Sequence, residues 1–293
     1  MLAGVVVLGV VAWRVDLSAV LAAVRGISVP ALLTALGLGM GTTLAAAGRW
    51  WVVARGLGLP LRMTTAVAAT YRATLLNSVL PAGVLGDVHR AVRYGREVGD
   101  VGRGARAVAI ERVAGQAAIV VVGLGVVLAS PGVREQLRAF ALPASVLLLA
   151  VGLVAVLARG RLARHATALR ADLRTGVLAH WPAVLGLSVL ALAGYLALFV
   201  VAARSAGVAA PLGTLLPLLV LGLLAMALPV TIGGWGPREG VLSLAFGAVG
   251  LGAAQGLATA VVYGVLALVA CLPGVAAPLF LRAPAREPER SAS

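Results

Sequence analysis

The 293-residue chain is 61% hydrophobic and only 12% charged, with a mean hydropathy of +1.04. A soluble domain is roughly 45–50% apolar and about a quarter charged, so a soluble fold is excluded; the alternation of a β-barrel is absent as well, which leaves an all-α integral membrane protein. The net charge of +14 rests on arginine, with no lysine anywhere, and a nucleic-acid partner is set aside because these arginines fall in short stretches between apolar runs, where positive charge holds loops in the cytoplasm.

Charge-free runs predict the spans. In chain order they are Met1–Trp13, Gly26–Gly48, Val113–Val133, Ala139–Ala158, Thr175–Ala203, Ser205–Pro237 and Gly240–Leu281. The last holds 42 residues, room for two crossings at about 20 residues each, so a bundle of about eight transmembrane helices is expected. Met1–Trp13 is shorter than the roughly 17–25 residues a span needs; it is a tilted or partial helix, or the natural start lies upstream. Trp13, Trp50, Trp51 and Trp181 stand at run ends, the pattern of interfacial aromatic belts. Glycines inside the runs suit close helix approach in lipid. The lone Cys271 rules out an intrachain disulfide and a cysteine metal cluster, and reads as a small core residue.

Met63–Pro81 is apolar but carries Arg72 and Asn77. It either spans or enters and leaves on one face. With the N-terminus inside and this segment re-entrant, 18 arginines lie inside and 5 outside; if it spans, the split is 16 to 6. The positive-inside rule favours the re-entrant version, with both termini cytoplasmic. The chain then reads as one polytopic membrane domain over residues 1–281, followed by a disordered polar tail, 282–293.

Two stretches break the apolar pattern in the same way. Leu80-Pro81 leads through glycines to Gly86, Asp87 and Arg90; Leu228-Pro229 leads through Gly233, Gly234 and Gly236 to Arg238 and Glu239. The Leu-Pro pairs lie 148 residues apart, which suggests a weak internal repeat with halves of roughly 26–158 and 175–281. Broken helices at matching positions of two halves point to a transporter's substrate site. In the second stretch Gly236 suits an N-cap, Pro237 the first helical position and Glu239 the third. In the first, Gly86 is expected to cap a helix that starts at Asp87. A helix N-terminus with arginine beside it suits an anion, and arginine grips phosphate with two parallel bonds.

Glu111-Arg112 opens the Val113–Val133 run. A charge at mid-bilayer is costly, so the pair is expected to face inward, and both an ion pair with one of the two breaks and direct substrate contact fit it. Asn77 and Gln116 suit interhelical hydrogen bonds, and Arg93 with Glu97 a solvated i, i+4 pair.

Asn77-x-x-Leu-Pro81, Gly86-Asp87-x-x-Arg90, Glu111-Arg112 and Leu228-Pro229…Gly233-Gly234-x-Gly236-x-x-Glu239, in this order and spacing, resemble the lysylphosphatidylglycerol synthase transmembrane-region family, also called flippase-like domain proteins. The likeness covers about Leu32 to Leu281. It implies a lipid flippase whose headgroup cavity is lined by the matching residues Asn77, Asp87, Arg90, Glu111, Arg112 and Glu239, with Gly86, Gly233, Gly234, Gly236 and Arg238 beside them. Two departures matter. The family often has an acid four places after its Glu-Arg glutamate, where this chain has Gly115, and Glu where it has Asp87. Nothing after Leu281 suits a soluble aminoacyl-transferring domain, so synthesis of lysylphosphatidylglycerol by this chain is not expected.

The residues therefore point to a multi-pass protein of the cell membrane that binds and translocates an anionic phospholipid or polyprenyl-phosphate-linked lipid. Two other readings stand beside it. One is a membrane enzyme acting on a headgroup through Asp87, His89 or Glu239, against which the sequence offers no Ser/His/Asp arrangement, metal-ligand cluster or phosphate loop. The other is a non-catalytic partner of a separately encoded glycosyltransferase or synthetase, docking through the arginine-rich stretches Arg90–Arg106 and Arg159–Arg174. No cofactor and no metal are called for, and no ATP-binding motif is present.

Overall fold

A computed structural model describes residues 17–80, 84–129, 166–226 and 235–276. Its elements are helical. In chain order they are α1 (Leu17–Arg25), α2 (Val29–Gly56), α3 (Met63–Val79), α4 (Leu85–Glu97), α5 (Val101–Ala129), α6 (Ala166–Gly176), α7 (Trp181–Ser205), α8 (Leu212–Met226), α9 (Pro237–Ala248) and α10 (Ala253–Cys271). Short 3-10 turns at Leu178–His180 and Leu272–Val275 precede α7 and follow α10.

Among the described residues four helical stretches are long and apolar enough to cross a membrane: Val29–Gly56, Val101–Val126, Ala171–Ser205 and Ala253–Val275. Their outward faces carry large apolar side chains, such as Val29 and Leu33 on α2, Val113 and Val121 on α5, and Leu185 and Leu190 on α7. Water does not tolerate that much contiguous apolar surface; lipid does. The chain is a multi-pass membrane protein.

The helix boundaries correct the charge-free runs in two places. α2 continues eight residues past Gly48, through Arg49 and Arg55. α5 begins at Val101 and carries Arg103, Arg106, Glu111 and Arg112 within its first turns. A buried charge with a partner does not end a helix; the runs were cut at residues whose charges are neutralised by other helices. Trp50 departs from the aromatic-belt expectation for the same reason. It is 1% exposed and lies in the core beneath the guanidinium of Arg90.

The 42-residue run after Glu239 folds as α9 and α10, joined across Val249–Gly252. At 12 residues α9 extends about 18 Å, well short of the roughly 30 Å hydrocarbon core, so α9 by itself is too short for the second crossing expected there. α8 has 15 residues with a buried Pro217 inside it, and α3 has 17. The predicted segments Met1–Trp13 and Ala139–Ala158 and the tail 282–293 lie outside the described residues.

Two cores hold the bundle. One gathers Leu192, Phe199, Leu218, Leu242, Phe246 and Leu266 from α7, α8, α9 and α10. The other gathers Trp50, Val53, Tyr94, Val108 and Ile110 from α2, α4 and α5, with Val184 of α7. α2, α7 and α10 pack on one another between these cores. A line of buried charges joins α2, α4 and α5 beside them.

Candidate functional site: a chain of buried charges beside a cavity

α4 starts at Leu85, two residues earlier than expected, with Val84 at its N-cap and no side-chain cap. Gly86 is therefore inside the helix rather than capping it. Its role is close approach: a Cβ there would collide with the backbone of Ala73 in α3. Contact that tight lets Asn77 of α3 bridge to α4. The Gly86 amide donates to Asn77 Oδ1 at 2.8 Å, and Asn77 Nδ2 donates to Asp87 Oδ2 at 2.7 Å.

From Asp87 a line of alternating charges runs through three helices. Arg112 of α5 pairs with Asp87 Oδ2. Arg90 donates to Asp87 Oδ1 at 3.0 Å and to Glu111 Oε2 at 3.0 Å, and also to the Thr70 hydroxyl at 3.1 Å. Glu111 Oε1 in turn accepts two bonds from Arg49 of α2, at 3.0 and 2.6 Å. Arg49 reaches one step further, to Ser188 Oγ of α7 at 3.2 Å. The order is Arg49, Glu111, Arg90, Asp87, Arg112. Three guanidiniums face two carboxylates, so the line carries a net charge of +1 with arginine at both ends. Of the alternatives left open for Glu111-Arg112, an ion pair with the first break is present.

Both ends open on the same space. A cavity of about 250 Å³ lies between α2, α3, α5, α7, α8 and α10, and Arg49 and Arg112 are in its wall. Arg112, Gly115, Gln116 and Ile119 line it from α5, the i, i+3, i+4, i+7 spacing of one helix face. Thr42, Thr43, Ser188 and Tyr195 add hydroxyls. No carboxylate is among the described lining residues. Arg112 sits deep among the helices yet 46% of its side chain is accessible, because the cavity stands beside it. Gly115 gives Arg49 its place: a Cβ at 115 would come within 2.5 Å of the Arg49 guanidinium.

The second break is arranged differently. Gly236 is the N-cap of α9, Pro237 the first helical residue and Glu239 the third, as the sequence indicates. Gly236 has φ of +104°, a backbone that side-chain-bearing residues rarely adopt. Its amide donates to Glu239 Oε2 at 2.6 Å, and Arg238 binds Glu239 Oε1 through two nitrogens. Both side chains are fully buried. The Arg238 guanidinium lies 4.8 Å from the Trp235 ring and 5.3 Å from that of Tyr263, two aromatic walls that favour a desolvated cation. Arg238 and Glu239 hold each other, apart from the line that starts at Asp87.

Of the residues singled out in the sequence, Arg112 stands in the cavity wall. Asn77, Gly86, Asp87, Arg90 and Glu111 form the layer that positions Arg112 and Arg49. Gly236, Arg238 and Glu239 form the separate cap of α9, and Gly233 and Gly234 lie outside the described residues. Arg49 is a cavity residue that sequence reasoning passed over, and Gly115, noted only as a departure from the family's pattern, lines the same wall. The signal that the helix runs past Arg49 is the stretch Trp50–Arg55 after it, six residues without Gly or Pro.

Arg93 pairs with Glu97 at 3.0 Å on an exposed face. The stretch Arg90–Arg106 is not a loop; it is α4 and the first turns of α5. Arg103 donates to the Leu57 carbonyl at 2.5 Å and Arg106 to Asp172 at 2.6 Å.

Among curated proteins and among solved structures nothing matches the chain. The family model described as the lysylphosphatidylglycerol synthase TM region matches residues 1–274, nearly the whole chain, and carries with it a role in lipid metabolism or transport. The chain belongs to the lysylphosphatidylglycerol synthase TM-region family.

Proposed function

We propose that the chain holds the phosphate of an anionic phospholipid or polyprenyl-phosphate-linked lipid in this cavity and moves that headgroup between the leaflets of the cell membrane, with both termini cytoplasmic. The observation that carries this reading is the pair Arg49 and Arg112, the two cationic ends of a +1 line, in a wall with no described carboxylate. A buried unbalanced cation attracts a mobile anion strongly, because desolvation has already been paid in folding. Guanidinium forks match phosphate oxygens, and Thr43 and Tyr195 are further hydroxyl-bearing residues of the wall. A volume of about 250 Å³ takes a headgroup and leaves the chains in the bilayer.

In this reading Asn77, Gly86, Asp87, Arg90 and Glu111 serve binding by fixing the two end arginines. The expected repeat fits this reading: Asp87 and Glu239 are each the third residue of a short helix after a Leu-Pro break, which supports taking roughly 26–158 and 175–281 as two halves. Of the groups named for an enzyme, Asp87, His89 and Glu239, the two carboxylates are each engaged by arginine.

Reconstitution into liposomes containing labelled phosphatidylglycerol or a labelled polyprenyl phosphate tests the proposal. Transbilayer movement above that of empty vesicles is expected for an anionic lipid and not for a zwitterionic one. Movement no faster than in empty vesicles for every anionic lipid would overturn it.

A further inference from the structure

Beyond its two arginines the cavity wall carries polar groups that nothing in the protein occupies. Gln116 lies one turn past Arg112 on α5, Tyr195 two turns past Ser188 on α7, and Tyr263 joins the wall from α10. The side chains of all three make no hydrogen bond among the described residues, yet they are not sealed: the sealed atoms without a partner are Trp50 Nε1, Arg90 Nε, Tyr94 Oη and Thr259 Oγ1. A polar atom that is neither bonded nor sealed has open space against it, and for these residues that space is the cavity they line. Tyr263 is the clearest case. The residue is only 3% exposed, and its ring is stacked on Phe199 at 3.7 Å with the Arg238 guanidinium 5.3 Å away.

A phenol and a side-chain amide each donate and accept. A headgroup hydroxyl also does both, so each of the three suits one. The charge of the wall adds a second requirement. Arg49 and Arg112 end a line of +1. Six of the chain's ten acids are among the described residues, and all six are engaged: Asp87 and Glu111 in the line, Glu239 by Arg238, Glu97 by Arg93, Asp172 by Arg106 and Asp100 by the Arg103 amide. An ammonium carried in beside the phosphate would face two guanidiniums with no free carboxylate among the described residues to receive it. Like charges brought together in a desolvated site repel strongly; an uncharged alcohol meets no such penalty.

We infer, resting on the headgroup reading above, that the cavity selects a phosphodiester whose headgroup is an uncharged polyol or sugar and excludes one that bears an ammonium, with Gln116, Tyr195 and Tyr263 binding the hydroxyls. Net charge is then not what sorts the lipids. Phosphatidylserine is an anion and is excluded; phosphatidylglycerol is an anion and is taken, but not once it is aminoacylated.

The test measures binding without movement. The full chain in detergent is offered equal amounts of phosphatidylglycerol, phosphatidylserine, lysylphosphatidylglycerol, phosphatidic acid and a polyprenyl phosphoglucose, and the lipids retained are counted by native mass spectrometry. Phosphatidylglycerol or the polyprenyl phosphoglucose is expected to exceed phosphatidylserine and lysylphosphatidylglycerol by at least about tenfold, and whichever leads identifies the glycerolipid or the polyprenyl carrier as the source. Retention of either amine-bearing lipid on a par with phosphatidylglycerol overturns the inference. Gln116→Glu adds a carboxylate to the wall and is expected to cut the ratio of phosphatidylglycerol to lysylphosphatidylglycerol by about tenfold; an unchanged ratio counts against wall charge as the selector. Tyr263→Phe removes one neutral hydrogen bond and keeps the ring. It is expected to lower phosphatidylglycerol about fivefold against phosphatidic acid, which has no alcohol on its phosphate, whereas an equal loss of both overturns the hydroxyl role of Tyr263. Retention of no lipid by the unmutated protein rejects the headgroup reading and this inference together. Selective retention without transbilayer movement rejects transport and leaves the selectivity standing.

Discussion

Asp87 and Glu239 occupy the same position in two short helices, third from the start after a Leu-Pro break, yet they bond in opposite directions. Asp87 reaches Asn77 of α3 and Arg112 of α5 as well as Arg90 of its own helix. Glu239 turns back to the Gly236 amide and its neighbour Arg238. The difference follows from the caps. Gly236, with its positive φ, lets Glu239 close the start of α9 as a capping box does. Val84 offers α4 no such closure, so Asp87 is free to join other helices. The third helical position thus holds a connector in α4 and a sealed cap in α9. Only the connector adjoins the cavity.

The comparison breaks most visibly at Glu111, the hub between Arg49 and Arg90. Glu111→Gln leaves three arginines against one carboxylate, and a loss of about 3–5 kcal/mol is expected, read as unfolding in mild detergent at much lower denaturant. A loss below about 1 kcal/mol would mean the line is not what holds α2, α4 and α5 together. The second break predicts a different pattern. Arg238→Met alone strands a buried carboxylate and costs a similar amount, about 3–5 kcal/mol. Adding Glu239→Gln should restore most of the loss, because no third charge depends on that pair. A double variant as unstable as the single would show that the cap is coupled to something beyond itself.

Arg112→Gln sharpens the functional side. One charged hydrogen-bonding group leaves the cavity wall, with an expected loss of about 1.5–3 kcal/mol in headgroup affinity, roughly ten- to a hundredfold. Its effect on the thermal midpoint should be small, since its side chain is 46% accessible and Asp87 keeps Arg90 and Asn77. Retention of labelled lipid through purification and movement in liposomes both report on it. The smallest effect belongs to Arg93→Ala. That pair with Glu97 is worth at most about 0.5 kcal/mol, and a change beyond about 1 kcal/mol in stability would show that Arg93 contributes more than this pair.

Much of this was legible in the residues. Gly236, Pro237 and Glu239 announce a helix start because each suits one capping position and little else, and they stand where expected. That Glu111-Arg112 faces inward follows from the need to neutralise charge in an apolar chain, but which of the two breaks it pairs with was left open by the residues. Arg49 was not legible by the same logic. Its partner Glu111 is 62 residues away, and no local pattern encodes a distance across the fold. Treating every charge as a span boundary therefore cut α2 short and put a core arginine among the topology signals. Trp50 failed together with it, since an aromatic next to a boundary charge looks interfacial until that charge proves to be inside. Gly115 is visible only as a missing side chain, and its meaning depends on Arg49 lying opposite.

The odd arginine in the buried line has an electrical consequence. A charge set among membrane-crossing helices feels the transmembrane voltage, at about 2.3 kcal/mol per elementary charge for a full 100 mV. The empty line is a monovalent cation; with one phosphodiester in the cavity it is neutral. A membrane potential therefore pulls on the unloaded protein and leaves the loaded one alone, so any step that shifts the line along the membrane normal is biased by voltage when the cavity is empty and not when it is filled.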